Sequence, residues 1–357
     1  MDFGLSEDQQ MFRDALRGFL AAHIPIDRVR TVMESDHGRD DDLREGLGAQ
    51  GVCGILIDEE YGGSALGLLD AAVAAEELGA AATPMSMHSA CVMAPLALQA
   101  AGSEEQRQRW LPAVAAGKAG LSFVCAAPPV GSGRLDGSVR YVADAGLADA
   151  FVVAAGTGAS AELLLVARDS AGLEVQELST VDGTRRVGEL VFNGLRVDDG
   201  MRMAHSDAAA LIDRIVDAGR IALAADALGL SQRSLDLAVA YSLEREQFGR
   251  TIGSFQAVKH MCAETAAEIE PVRSLLWYAA FGWDQGYADT SATAALLKSH
   301  AAEVATRATS TSVQVYGGIG FTDECDMHIW FKRAGYDRQM LGSPAEMRAR
   351  AADLTLA

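Results

Sequence analysis

A chain of 357 residues, 49% of them apolar, carries more hydrophobic surface than one core usually holds, so two or three packed modules are expected. A formal net charge of −19 excludes the clustered lysine and arginine that nucleic acid or an anionic membrane would need, and no apolar run is long enough to span a bilayer. Five cysteines, Cys53, Cys91, Cys125, Cys262 and Cys325, are scattered with no CxxC pair, unlike a disulfide framework; they read as small buried apolar residues in a reducing cytoplasm.

The N-terminus opens on Ser6-Glu7-Asp8-Gln9-Gln10 and has neither the basic nor the apolar region of a signal peptide, so a soluble protein that is not exported is expected. From 6 to about 118 apolar residues recur at helical spacing, as at Met11, Leu16 and Leu20, and Ser6 with Gln9 three places on makes a capping-type start. Asp58-Glu59-Glu60-Tyr61-Gly62-Gly63 breaks this stretch as a loop. From about 121 to 197, short β-rich runs such as Phe151-Val152-Val153 and Leu163-Leu164-Leu165-Val166 alternate with glycine-containing turns. A second helical block begins near 206, where Leu211, Ile212, Ile215 and Val216 start a face that Leu228, Leu235 and Val239 continue. With much alanine and leucine and only eight prolines, the chain reads as mainly α with a β domain, divided at 1–118, 119–204 and 205–357. No metal site is indicated.

Two segments of the last block make this order recognisable: Arg245-Glu246-Gln247-Phe248-Gly249-Arg250-Thr251-Ile252-Gly253-Ser254-Phe255-Gln256, and Gln314-Val315-Tyr316-Gly317-Gly318-Ile319-Gly320-Phe321-Thr322. Together with the Glu59-Glu60-Tyr61-Gly62-Gly63 loop they resemble the acyl-CoA dehydrogenase family, in the same order and over essentially the whole chain. The resemblance implies an N-terminal helical domain, a middle β-barrel-like domain and a C-terminal four-helix bundle, with FAD at a subunit interface. It implies that Arg245, Gln247, Phe248, Gln256, Gln314, Gly317 and Gly318 hold the FAD of a neighbouring subunit. The residue types suit that task. A guanidinium matches a pyrophosphate, amides bond polar cofactor atoms, and glycine lets backbone approach closely.

The family's reaction takes a proton from the α carbon of an acyl-CoA while a hydride leaves the β carbon for the flavin, which needs a carboxylate base. Counting from Gly317-Gly318 the usual base position is Leu341, and the alternative, counted back from Phe248, is Gly219, just before Arg220. Neither takes a proton. The flavin-facing Thr-Glu-Pro segment of the family is replaced by Cys125-Ala126-Ala127-Pro128-Pro129, and Tyr141-Val142-Ala143-Asp144 stands where a flavin-covering aromatic is expected to be missing.

These losses concern a subunit's own flavin, whereas the kept motifs serve a neighbour's. The expectation is therefore a subunit without catalytic residues of its own, resembling the second half of actinobacterial α2β2 acyl-CoA dehydrogenases, some of which act on steroid thioesters. Asp217 and Arg220 match positions lining the acyl-CoA cleft; the competing reading is an ion pair on a solvated helix surface. Two alternatives stand beside this one: a self-sufficient homomer with a relocated base among Asp217, Glu244, Asp337 and Glu346, and a scaffold of the same fold that has lost flavin.

Overall fold

Ser6 and Gln9 close a reciprocal cap in the computed structural model, which describes residues 4–36, 38 and 40–356. The Gln9 backbone N–H donates to the Ser6 hydroxyl at 3.2 Å, and the Ser6 N–H donates to the Gln9 side chain at 3.0 Å. Helix α1 (Glu7–His23) follows and buries Leu16 and Leu20. Met11, expected on the same face, is 63% exposed. It lies nine residues before Leu20, about two and a half turns, which places it opposite. Helices α2 (Ile26–Glu34), α3 (Asp41–Ala49), α4 (Leu68–Ala80), α5 (Ala94–Ala101) and α6 (Glu104–Ala115) complete the N-terminal stretch.

The double glycine between α3 and α4 ends a single helical turn, Glu59–Tyr61. Gly62 takes a left-handed φ of 80°, and a Cβ at Gly63 would sit 2.0 Å from the Ile57 carbonyl oxygen, so neither place admits a side chain without strain.

Seven strands follow: β1 (Leu121–Ala127), β2 (Arg134–Ala143), β3 (Ala150–Ala155), β4 (Glu162–Ala167), β5 (Leu173–Leu178), β6 (Val187–Arg196) and β7 (Arg202–Met203). They form a four-stranded sheet ordered β1-β3-β4-β7 and a three-stranded antiparallel sheet ordered β2-β6-β5. Phe151, Val153, Leu164 and Val166 from the first share one core with Leu135, Leu190, Phe192 and Leu195 from the second. The all-buried pattern of β3, whose six residues are all covered, explains why it reads as a continuous apolar run.

The last block holds α7 (Ala208–Glu244), α8 (Gln256–Gln285), α9 (Thr290–Tyr316), α10 (Met327–Gln339) and α11 (Pro344–Leu356), with the short strands β8 (Glu246–Gln247) and β9 (Arg250–Thr251) between α7 and α8. Ile215, Leu228 and Leu235 of α7 are buried as expected, but Val239 is 39% exposed because α7 runs on toward solvent at its C-terminal end. Helix α9 packs against α8, α10 and α11. Ala294, Ala295, Ala301, Ala302, Ala305 and Ala308 are all buried along it, and such small side chains suit a helix with three neighbours.

By its contacts the chain divides into two units. One holds the residues up to 30, 72–83 and 220 onward; the other holds 31–71 and 84–219. In the first, α4 and α7 touch backbone to backbone: a Cβ at Gly79 would meet the Asp226 carbonyl oxygen at 2.2 Å, and one at Gly229 the Glu76 oxygen at 1.8 Å. Beside this crossing Arg333, fully buried, donates through Nε to Asp226 at 2.8 Å and through Nη1 to the Thr83 carbonyl at 2.9 Å. Among the described residues no helix is long and apolar enough to cross a membrane.

Candidate cofactor and substrate site

The expected cofactor-binding residues are drawn together by two ring contacts in the helical unit. Past the end of α7, the Arg245 N–H donates to the Tyr241 carbonyl and the Ile252 N–H to the Arg245 carbonyl, both at 2.8 Å. These bonds frame the β8–β9 hairpin, whose tip residues Phe248 and Gly249 have φ of 55° and 75°, the conformation of a tight two-residue turn. Glycine adopts this freely; Phe248 is strained by it, and its ring is 91% exposed. The Phe248 ring meets Phe255 edge-on at 6.1 Å, and the Arg250 guanidinium lies 4.0 Å over the same Phe255. The next residue, Gln256, is exposed and begins α8. The second contact is the stack of Tyr241 on Tyr316, with centroids 4.2 Å apart, which brings the end of α9 to the last turns of α7. Burial pushes the Tyr316 phenol up to about 12, and its hydroxyl donates to the Leu237 carbonyl at 3.3 Å.

Gln314 is exposed in the last turn of α9, and Gly317 follows with φ of 69°. Nothing lies within 4 Å of a Cβ built on Gly317 or Gly318, so their backbone is open to an outside group. Gly320 is different: its Cβ would be 2.7 Å from that of Tyr316 and 2.9 Å from the Val313 oxygen, so packing within the chain requires it. The donor set is thus an exposed guanidinium, the exposed amides of Gln247, Gln256 and Gln314, open glycine backbone and an uncovered ring. It fits a pyrophosphate joined to planar rings, the chemistry of FAD.

Asp217 and Arg220 are 1% and 9% exposed, which overturns the reading of a pair on a solvated surface. Arg220 donates through Nε to the Leu341 carbonyl oxygen at 3.1 Å. Leu341 lies in the turn between α10 and α11 with a left-handed φ of 55°, followed by Gly342 at 112°. Gly219, buried in α7, immediately precedes Arg220. Arg220 thus ties α7 to the turn that holds Leu341, one of the two positions where a base is expected.

The same turn is held from α9 by a residue that the sequence reading passed over. Lys298, 1% exposed, donates to the Asp337 carbonyl at 2.7 Å and to that of Gly342 at 3.4 Å. Burial brings its ammonium down from 10.5 to about 8; the Asp337 carboxylate opposes this, and Arg220 and Arg338 reinforce it. The signal was present: Lys298 interrupts the alanine face formed by 294, 301, 302 and 305.

Of the carboxylates considered as relocated bases, Asp337 and Asp217 are each 1% exposed. Glu346 caps α11, accepting the Ser343 N–H and hydroxyl at 2.8 Å each, and these bonds hold its carboxyl below the usual range. Glu244 is exposed at the far end of α7, roughly 36 Å along the axis from Arg220 at 1.5 Å per residue.

In the β-containing unit, the segment expected to replace Thr-Glu-Pro begins where β1 loses its regular register, between Val124 and Ala127, with the exposed Ala126 at φ 57°. The expectation of a missing aromatic needs correction: Tyr141 of β2 is itself aromatic, 59% exposed at φ 62°, with the Arg140 guanidinium 5.3 Å over its ring. The cysteine reading is also corrected in part. Cys53 and Cys91 are buried, while Cys125, Cys262 and Cys325 are only half-buried, their stretches being in part open to solvent. Among the described residues no group of three or more potential metal ligands occurs.

This arrangement is a mainly helical fold with a β domain between two helical stretches, and comparison with known proteins assigns it. Residues 6–118 match the profile described as acyl-CoA dehydrogenase, N-terminal domain, and residues 209–354 that described as acyl-CoA dehydrogenase, C-terminal domain. The chain is 34% identical to acyl-CoA dehydrogenase IpdE2 of Mycobacterium tuberculosis, covering 96% of each. The ChsE4–ChsE5 complex of the same organism contains a chain with 28% identity and a TM-score of 0.90, covering 100% of this chain and 99% of that one. The Tcur3481–Tcur3483 steroid ACAD, as a G363A variant, gives 29% identity and a TM-score of 0.89 over 98% of both. The chain belongs to the acyl-CoA dehydrogenase family, whose chemistry is oxidation at a CH–CH bond.

Proposed function

We propose that this chain is the partner subunit of a cytoplasmic FAD-dependent acyl-CoA dehydrogenase. It completes the FAD site of a homologous catalytic subunit in an α2β2 assembly acting on a bulky or steroid-derived acyl thioester. The observation that carries the proposal is the contrast between the intact, outward-facing donor set around Arg245 and the apolar Leu341 and Gly219 at the places of a base. FAD, when bound, takes the hydride that leaves the β carbon. This chain's contribution is binding: Arg245 neutralises pyrophosphate charge, the glutamines bond polar atoms, and the Phe248 ring covers the cofactor. The relatives that are themselves complexes of two named subunits, ChsE4–ChsE5 and Tcur3481–Tcur3483, support a homologous partner, and the second supports a steroid substrate.

Co-expression with a homologous dehydrogenase subunit tests this, with mass and flavin content read on the purified product. A stable hetero-oligomer that is yellow only when both chains are present supports the proposal; a yellow homo-oligomer that ignores the second chain refutes it, and no flavin in either preparation favours a scaffold.

The burial of Asp337, beside Lys298, and that of Asp217 favour a second reading, a homomer that draws its base from one of them. That reading requires an active homomer inactivated by Asp217→Asn or Asp337→Asn.

A further inference from the structure

Outside the flavin and thioester residues, the β-containing unit holds a feature that the proposed function does not use. Cys53 lies in the irregular stretch after α3, and Cys91 in a widened helical turn, His88–Met93, just before α5. A π-type turn carries an extra residue and re-aims its side chains, and such turns concentrate at functional sites. This one is fastened to β1: Ser89 Oγ accepts the Phe123 N–H at 2.8 Å and lies 3.2 Å from Ser122 Oγ, which in turn donates to the Ala143 carbonyl at 2.6 Å. Held in this way, Cys91 lines one cavity with Cys53, whose Sγ donates to the Arg44 carbonyl at 3.8 Å.

Both thiols line a cavity of about 60 Å³ that Arg44 and Asp144 also line and that reaches the surface at Asp41. A volume of roughly 10–15 Å³ holds one water, so this cavity admits a molecule of that size class, including hydrogen peroxide. Its surroundings treat the two sulfurs differently. The hydrogen bond from Cys91 brings the Cys53 thiol down against the opposing effect of burial, and the Arg44 guanidinium adds to the lowering; the bond to Cys53, burial and the Asp144 carboxylate all push Cys91 up. Cys53 is the thiolate former and Cys91 the thiol that waits.

We propose that Cys53 and Cys91 form a dithiol oxidation site that small hydroperoxides convert to a disulfide. The Cys53 thiolate attacks one peroxide oxygen, the O–O bond breaks, and the departing hydroxide takes a proton to leave as water, giving a sulfenic acid. The Cys91 sulfur, losing its proton, attacks the Cys53 sulfur; the S–O bond breaks, the S–S bond forms, and a second water leaves. Two thiols are oxidised by two electrons and one peroxide is reduced to two waters. The product pins the stretch after α3 to the turn that anchors β1, the strand ending in Cys125-Ala126-Ala127.

The test is peptide mapping of the full-length folded chain before and after stoichiometric hydrogen peroxide, with free thiols alkylated. Cys53 and Cys91 share one tryptic peptide because no lysine or arginine lies between 45 and 106, so digestion after glutamate is used to separate them. The expected result is a cross-linked pair of peptides carrying Cys53 and Cys91, lighter by two hydrogens, that dithiothreitol separates. In Cys91→Ser the expected product is a trapped Cys53 sulfenic acid that reacts with dimedone. Alkylation of both cysteines after peroxide as before it, or a cross-link of either one to Cys125, Cys262 or Cys325 in its place, overturns the proposal.

Discussion

The Arg220 side chain holds the backbone of Leu341: its Nε donates to the Leu341 carbonyl at 3.1 Å, joining α7 to the turn between α10 and α11. Lys298 grips the same turn at the Asp337 and Gly342 carbonyls. The turn is thus firmly built although its side chain at 341 has no chemistry to perform. Replacing Leu341 by glutamate supplies a carboxylate but leaves Cys125-Ala126-Ala127-Pro128-Pro129 where a flavin-facing Thr-Glu-Pro segment is expected. Misplacement of reacting groups by about 1 Å costs on the order of a hundredfold in rate. Leu341→Glu and Gly219→Glu homomers, loaded with FAD, are therefore expected to stay near background in steady-state dye reduction with a panel of acyl-CoAs. Turnover well above that level in either variant would mean an intact cleft that lacks only its base.

Arg245 faces outward next to a hairpin tip whose Phe248 ring is 91% exposed. Removing one charge-assisted hydrogen bond to a cofactor costs about 1.5–3 kcal/mol, roughly ten- to a hundredfold in affinity. In the assembled complex, Arg245→Ala should weaken FAD affinity, read by titration of the apo-complex, by that factor while leaving the assembly's stoichiometry unchanged in native mass spectrometry. Unchanged affinity would make Arg245 an ordinary surface charge.

The Asp226–Arg333 pair is almost completely buried, at 7% and 0% side-chain exposure. Breaking such a pair from one side leaves an uncompensated charge, at a cost of about 3–5 kcal/mol. Asp226→Ala is expected to lower the midpoint of urea unfolding accordingly. The glycine crossing beside it gives an independent check: Gly229→Ala puts a Cβ 1.8 Å from a backbone oxygen, so α4 and α7 must part, and the variant should be at least as destabilised. A mild effect from both changes would contradict the packing described.

Lys298 imposes a sign on pH dependence. The folded chain releases its proton near pH 8, while the unfolded chain holds it to the ordinary value of 10.5. Between these values the unfolded state binds more protons, so the contribution of Lys298 to stability rises with pH across the window and is flat below it. The unfolding free energy of the native chain minus that of Lys298→Met should therefore grow from pH 8 to 10.5. A difference that stays constant or falls there would contradict the buried ammonium.

Much of this was legible in the residues, and the failures have local causes. The Ser6–Gln9 cap, the apolar runs of β3 and β4 and the glycine pair at 62 and 63 each obey a short-range rule, and each takes the form that rule implies. Motif order likewise pointed to the family. Met11 was misplaced because apolar character was read without its angle around the helix, and Val239 because a long helix need not stay covered along its whole length. The carbonyls that Lys298 reaches and the Arg220–Leu341 bond were out of reach, since they depend on which helices meet α9 and on a turn whose left-handed leucine no local rule anticipates. The facing of Cys53 and Cys91 depends likewise on the turn that Ser89 fastens to β1.

If this chain serves a neighbour's flavin rather than its own, the anaerobic half-reaction shows it. The purified chain is loaded with FAD, alone or with a homologous subunit, mixed with a panel of acyl-CoAs including steroid-derived thioesters, and followed at the visible flavin band. Weak flavin occupancy and no bleaching are expected for the chain alone, and rapid bleaching once the partner is present. Normal flavin content and efficient bleaching by the isolated homomer would contradict it.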